Sequence, residues 1–289
     1  MHDTPECDDM IHRLACLLPA LLAPHLAAGD LPAKYEVEKH RNLAYNPARD
    51  ADPVRHKLDL YLPKGAKKFP VMTFVHGGAW RSGNKDLYAA LGETFAKQGV
   101  GTAVINYRLS GADGKVKHPD HVHDVARAFA WVKANAPKYG GDPEKLYLSG
   151  HSAGGHLVAL LATDEQYLKA EKCSTKDLKG VMALSGVYTI TPQLPMLATA
   201  FGTDARACEA ASPLTHVKAD HPPFLIAYGA KDFPFLDMMA EQFGKKLTAN
   251  KCDAKVLKLD RDHFSIIISA ATSAADPLAK GMLEFMGIK

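Results

Sequence analysis

From residue 34 to the carboxyl terminus, short apolar runs alternate with longer segments of helical spacing. Residues 56–62 alternate apolar and polar side chains and stop at Pro63, and residues 34–44 alternate weakly through Tyr35 and Val37. These two segments are expected to be paired edge strands, joined by a polar, proline-containing stretch. Apolar runs at 70–75, 178–184 and 224–228 predict buried strands, and 100–106, 145–149 and 254–259 predict three more strands. Helices are expected at 87–98, 118–135, 153–163, 235–249 and 266–286. In the second of these, Val122, Val125, Phe129 and Val132 recur at helical spacing. Repeated strand–helix units imply an α/β domain over residues 34–289: a mostly parallel sheet with helices on both faces. Residues 188–216 break the rhythm, with Pro192, Pro195 and Pro213 between two strands. The segment is too long for an ordinary loop and is expected to form a short cap.

The strand ending at Ser149 runs into Gly150-His151-Ser152-Ala153-Gly154 and then directly into a helix. A sharp strand-to-helix turn lifts a serine hydroxyl clear of the sheet, and small flanking residues let strand and helix approach. Ser152 is therefore the candidate nucleophile. His76-Gly77-Gly78-Ala79-Trp80 follows another buried strand. Its glycines allow backbone N–H groups to approach a developing oxyanion, a role expected of Gly77, Gly78 and Ala153. His76 is expected to be a structural hydrogen-bonder and Trp80 a packing residue. Asp232 and His263 each lie just past the end of a later strand, on the sheet edge that carries Ser152. The chain order Ser, Asp, His suits a base at His263 oriented by Asp232. Asp237, Asp260 and Asp262 are rival acids, and Asp237 is the nearest of them.

These motifs, with Asp262-His263-Phe264-Ser265, resemble the hormone-sensitive-lipase-like branch of the α/β-hydrolases, and within it the acetyl, aryl and feruloyl-type carboxylesterases and the kynurenine formamidases. The likeness runs from about Asn42 to the end. It implies the α/β-hydrolase fold and acyl transfer through a Ser-His-Asp triad with no cofactor. Ala79 stands where hormone-sensitive lipases proper usually carry glycine. The His-Gly-Gly-x-Trp form is shared by formamidases and feruloyl-type enzymes, so esters and formamides both remain open as substrates. A non-catalytic binding protein on the same scaffold is the reading from a different class.

Composition narrows the partners. A net charge of +3 without a basic cluster predicts no nucleic-acid surface. The expected partners are a small short-acyl ester, with aryl-linked and sugar-linked kinds both open, and water; a homodimer is left open. Residues 1–29 hold a basic residue, an apolar run too short for a bilayer and then small residues, the order of an export signal. No stable membrane insertion is expected. Cleavage there would place the protein in the periplasm or outside the cell; a packed amphipathic helix would leave it in the cytoplasm. Cys173, Cys208 and Cys252 allow either one disulfide or three buried thiols. His118, His121 and His123 lack zinc spacing and are expected at a solvated helix start, with Asp120 or Asp124 paired to Arg108. Phe233, Phe235, Pro192 and Pro195 are candidates to shape a substrate pocket.

Overall fold

A computed structural model describes residues 30–49 and 51–289. The expected export signal, with Cys7 and Cys16, lies outside the described residues. Among the described residues, eight strands form one sheet in the order β1-β2-β4-β3-β5-β6-β7-β8. They are β1 Val37–Ala44, β2 Lys57–Pro63, β3 Phe69–Val75, β4 Gly101–Ile105, β5 Gly141–His151, β6 Gly180–Leu184, β7 Phe224–Lys231 and β8 Ala254–Asp262. From β4 across to β8 neighbouring strands are parallel, whereas β1–β2 and β2–β4 are antiparallel. Only β1 of the first pair is an edge. β2 pairs on both sides, with β1 and β4, and its side chains are nearly all buried.

The strands alternate between two cores because successive side chains point to opposite faces. Val71, Val75, Leu146, Leu148, Val181 and Ile226 face one cluster, with α2 (Asp120–Asn135), α3 (Ala153–Thr163) and α4 (Leu236–Ala249) packed on it. Met72, Phe74, Tyr147, Met182 and Leu225 face the other, covered by α1 (Ala89–Lys97), α5 (Ser265–Thr272) and α6 (Pro277–Phe285). The single helix expected at 266–286 is thus two. Asp276 accepts from the Leu278 N–H as an N-cap and Pro277 opens α6, so the chain restarts there. No described helix is long and apolar enough to cross a membrane.

Residues 188–216 fold into short helical turns, Pro195–Leu197, Ala198–Phe201, Ala205–Ala210 and Pro213–His216. Tyr188, Phe201 and Cys208 from this segment are buried in the first core, and the Ala211 carbonyl accepts from His156 Nε2 at 2.8 Å. Cys173, Cys208 and Cys252 are free buried thiols. His121 is fully buried rather than solvated, its Nε2 2.9 Å from Ser110 Oγ. Arg108 grips buried Asp124 with two nitrogens, Nε at 2.8 Å and Nη2 at 2.9 Å, as expected of a scaffold pair. Burial pushes the Asp124 carboxyl up, but hydrogen bonds from His56 and Arg108 outweigh it and hold the pKa below the ordinary value. The ion pair therefore persists at neutral pH and ties the end of β4 to α2.

Candidate active site

Ser152 stands between β5 and α3 at φ 57°, ψ −118°, a backbone conformation rare for any residue with a side chain. Such a position costs on the order of 1–3 kcal/mol and persists only where its surroundings enforce it. Here the enforcement is visible. A Cβ on Gly150 would lie 2.4 Å from the Gly154 carbonyl oxygen, and one on Gly154 would lie 2.1 Å from the Val75 oxygen. Only glycine at both positions lets α3 start against β3. The Ser152 N–H is anchored to the Leu184 oxygen at 2.8 Å.

The structure brings the three predicted side chains together from three strand ends. His263, four residues after Leu259 and just beyond β8, places Nε2 2.9 Å from Ser152 Oγ and Nδ1 2.6 Å from Asp232 Oδ1. His263 and the Asp232 carboxylate are buried, while Ser152 retains partial exposure, so the hydroxyl is the member that solvent and substrate can reach. The rival acids are elsewhere. Asp237 is exposed on α4, Asp260 pairs with Lys231 at 2.9 Å, and Asp262 accepts from the Phe264 and Ser265 N–H groups.

Asp232 has further partners that the sequence did not point to. Ser185 Oγ donates to Oδ2 at 2.6 Å, the Gly229 N–H to Oδ2 at 3.2 Å and the Phe233 N–H to Oδ1 at 2.8 Å. Burial raises the carboxyl pKa, yet the bonds from His263, Ser185 and Phe233 prevail and leave it below the ordinary range. Asp232 is therefore an anion at neutral pH, able to fix a hydrogen on His263 Nδ1 and leave Nε2 as the acceptor facing Ser152. Ser185 follows β6 with φ 48°, a strained backbone that aims its hydroxyl at the acid. Ser185→Ala removes a charge-assisted bond of ~1.5 kcal/mol or more, so kcat/KM should fall about 10-fold, checked by steady-state kinetics on an acetyl ester. An unchanged kcat/KM in that variant would show that Asp232 is held without the hydroxyl.

The expected oxyanion donors need one correction. The Gly77 N–H is taken: it donates to Tyr88 Oη at 3.2 Å. The next two residues turn the backbone over, with φ 123° at Gly78 and 51° at Ala79. Neither the Gly78 nor the Ala79 N–H has an acceptor among the described residues, and the Ala153 N–H, at the first position of α3, has no intrahelical one. Successive N–H groups in such a turn form an anion-binding concavity. The available set is thus Gly78, Ala79 and Ala153. Gly77 does approach the nucleophile closely, since a Cβ on it would lie 3.1 Å from Ser152 Cβ.

His76 and Trp80 take the structural parts expected of them. His76 Nδ1 donates to the Gly77 oxygen at 2.7 Å and its ring stacks on Tyr107 at 4.4 Å; burial pushes its pKa down to about 4. Trp80 is buried and donates from Nε1 to His156. Phe233, named as a pocket residue, stacks on the His263 ring at 4.3 Å while remaining 44% exposed, which puts an aromatic face at the mouth of the site.

Comparison with known proteins places the chain in a family. Residues 58–247, more than half of the chain, match the BD-FAE family model. The chain is 36% identical over 180 residues to the "Probable carboxylic ester hydrolase LipM" of Mycobacterium tuberculosis, covering 56% of this chain and 41% of that protein. It is 28% identical over 258 residues to the "Probable isoprenylcysteine alpha-carbonyl methylesterase ICMEL1" of Arabidopsis thaliana, covering 81% of this chain and 52% of the relative. The chain thus spans about half the length, or less, of these curated relatives. A truncated carbohydrate esterase from gut microbiota superposes with a TM-score of 0.73 at 22% identity, covering 90% of this chain and 98% of the other, a likeness of fold. By the extent of the family match and the fold that carries it, this chain is a member of the BD-FAE family of α/β-hydrolases.

Proposed function

We propose that this protein hydrolyses small carboxylic esters through an acyl-enzyme on Ser152. The observation that carries the reading is the line from Ser152 Oγ through both nitrogens of His263 to Asp232, at 2.9 and 2.6 Å. Ser152 Oγ attacks the ester carbonyl as His263 Nε2 takes its proton. The carbonyl oxygen becomes an oxyanion held by the N–H groups of Ala153, Gly78 and Ala79. Collapse of the tetrahedral adduct breaks the carbonyl–alkoxy bond, and the imidazolium returns its proton to the departing alcohol. Water then enters, gives a proton to His263 and attacks the acyl group. The second collapse releases the carboxylic acid and restores the Ser152 hydroxyl. Asp232 stays ionised throughout and stabilises the imidazolium.

Esters are favoured over formamides by the relatives, which are named for ester hydrolysis. A short acyl group is the expected substrate because residues 188–216 form short helical turns, fastened to the core by buried Tyr188 and Phe201, rather than a long apolar lid. The expected order of kcat/KM is p-nitrophenyl acetate above p-nitrophenyl palmitate and above N-formylkynurenine. Faster turnover of the formamide would make the protein an arylformamidase instead. A binding-only role predicts that a fluorophosphonate leaves Ser152 unlabelled.

A further inference from the structure

A second polar chain runs beside the triad, and the reaction scheme above leaves it unused. The Gly77 N–H donates to Tyr88 Oη at 3.2 Å, Tyr88 Oη lies 3.2 Å from His151 Nδ1, and His151 Nε2 lies 2.8 Å from the His263 carbonyl oxygen. Both ends of the chain are backbone, so its polarity follows. A carbonyl oxygen only accepts, hence His151 Nε2 carries the hydrogen. In a neutral imidazole Nδ1 is then the acceptor, so the Tyr88 hydroxyl donates to it. A hydroxyl that has given its hydrogen still has lone pairs, and one of them receives the Gly77 N–H. Each group along the path has a partner of the right polarity.

The surroundings hold this arrangement still. His151 is the last residue of β5 and its ring is buried, 4.8 Å from the His263 ring. Burial, with His263 alongside, pushes its pKa down to about 3, so it is neutral at any pH where the enzyme would work. Tyr88 packs against Phe74 at 5.0 Å. It ends the turn Lys85–Tyr88, which Asn84 caps through two N–H groups and buried Lys85 anchors to Asp59 at 3.0 Å.

We propose that Tyr88 and His151 are positioning residues, holding the oxyanion loop after β3 and the His263 loop after β8 in register across Ser152. The inference rests on the serine-hydrolase reading. Occupation of the Gly77 N–H by Tyr88 also orients the loop, so that the two following N–H groups are left for substrate. Acyl transfer needs the imidazole and the oxyanion donors set together around Oγ. A misplacement of about 1 Å can cost ~10²-fold in rate.

The test compares wild type with Tyr88→Phe, His151→Leu and His151→Gln. Tyr88→Phe keeps the packed ring and deletes only the hydroxyl. His151→Gln keeps an amide N–H able to reach the His263 carbonyl, which His151→Leu lacks. On p-nitrophenyl acetate, kcat should fall ~10–100-fold in Tyr88→Phe and His151→Leu with KM unchanged, and His151→Gln should recover much of the loss. Nitrogen-15 spectra of the wild-type imidazoles should show His151 neutral across the neutral pH range, with its hydrogen on Nε2. A His151 that titrates there, or carries its hydrogen on Nδ1, overturns the chain. Unchanged kcat in Tyr88→Phe and His151→Leu, a loss confined to KM, or equal losses in His151→Leu and His151→Gln overturn the positioning role. A wild-type protein without Ser152-dependent ester turnover fails the hydrolase reading and takes the positioning role with it, while the imidazole spectra still decide the chain.

Discussion

Ser152→Ala should lower the turnover of p-nitrophenyl acetate by ~10⁶, the loss seen when a triad that acts as a unit loses its nucleophile. The size follows from the geometry. Among the described residues, His263 Nε2 has one hydrogen-bond partner, the Ser152 hydroxyl at 2.9 Å. The N–H groups of Gly78, Ala79 and Ala153 survive the substitution, so ~10³–10⁴ over the uncatalysed reaction should remain. The variant should fold, because alanine at 152 keeps the backbone N–H bond to Leu184 and removes only a hydroxyl. Circular dichroism with ester kinetics checks both halves of the statement. Turnover within tenfold of wild type in a folded variant would assign the chemistry to another residue.

Asp232→Ala should cost ~10⁴ in kcat, less than loss of the nucleophile because the serine and the imidazole remain. Removing the carboxylate leaves His263 Nδ1 without its acceptor at 2.6 Å and Ser185 Oγ without its own. The imidazole is then free to take the other tautomer and to present a hydrogen, rather than a lone pair, to Ser152. Asp232→Asn should lose less. The Phe233 N–H at 2.8 Å favours the amide oxygen at the Oδ1 position more strongly than the Gly229 N–H at 3.2 Å favours it at Oδ2, so the acceptor for His263 Nδ1 survives while the charge does not. Asp237→Asn, on the exposed face of α4, should leave kcat/KM unchanged. Kinetics of the three variants separate orientation from charge. A large loss in Asp237→Asn with none in Asp232→Ala would reverse the assignment of the acid.

The parts of this picture legible in the sequence are those set by local pattern. β5, the glycine-flanked Ser152 and α3 form one continuous signal, because a strand period changes to a helix period across residues too small to be anything but a tight turn. Asp232 and His263 could be placed because each follows a strand, buried β7 and the edge strand β8, and a parallel sheet puts such ends on one side. The start of β5 was hidden, since Gly141-Asp142-Pro143 has the composition of a turn yet pairs with Phe69 beside a register shift. The break between α5 and α6 carried a readable Asp-Pro start signal inside a long apolar run. Which loop N–H groups face the substrate depends on the φ values of Gly78 and Ala79, and residue type alone does not dictate them. Ser185, Tyr88 and His151 act through partners distant in the chain, so only the folded chain shows what they touch.

The central claim is that one hydroxyl, activated by one imidazole, attacks carbonyl carbon. Intact-mass and peptide-mapping spectrometry after treatment with a fluorophosphonate reads this directly. A single adduct on Ser152 in the wild type, with none in Ser152→Ala and very slow labelling in His263→Ala, is the predicted result. Labelling at another residue, or wild-type protein that stays unmodified, would contradict it.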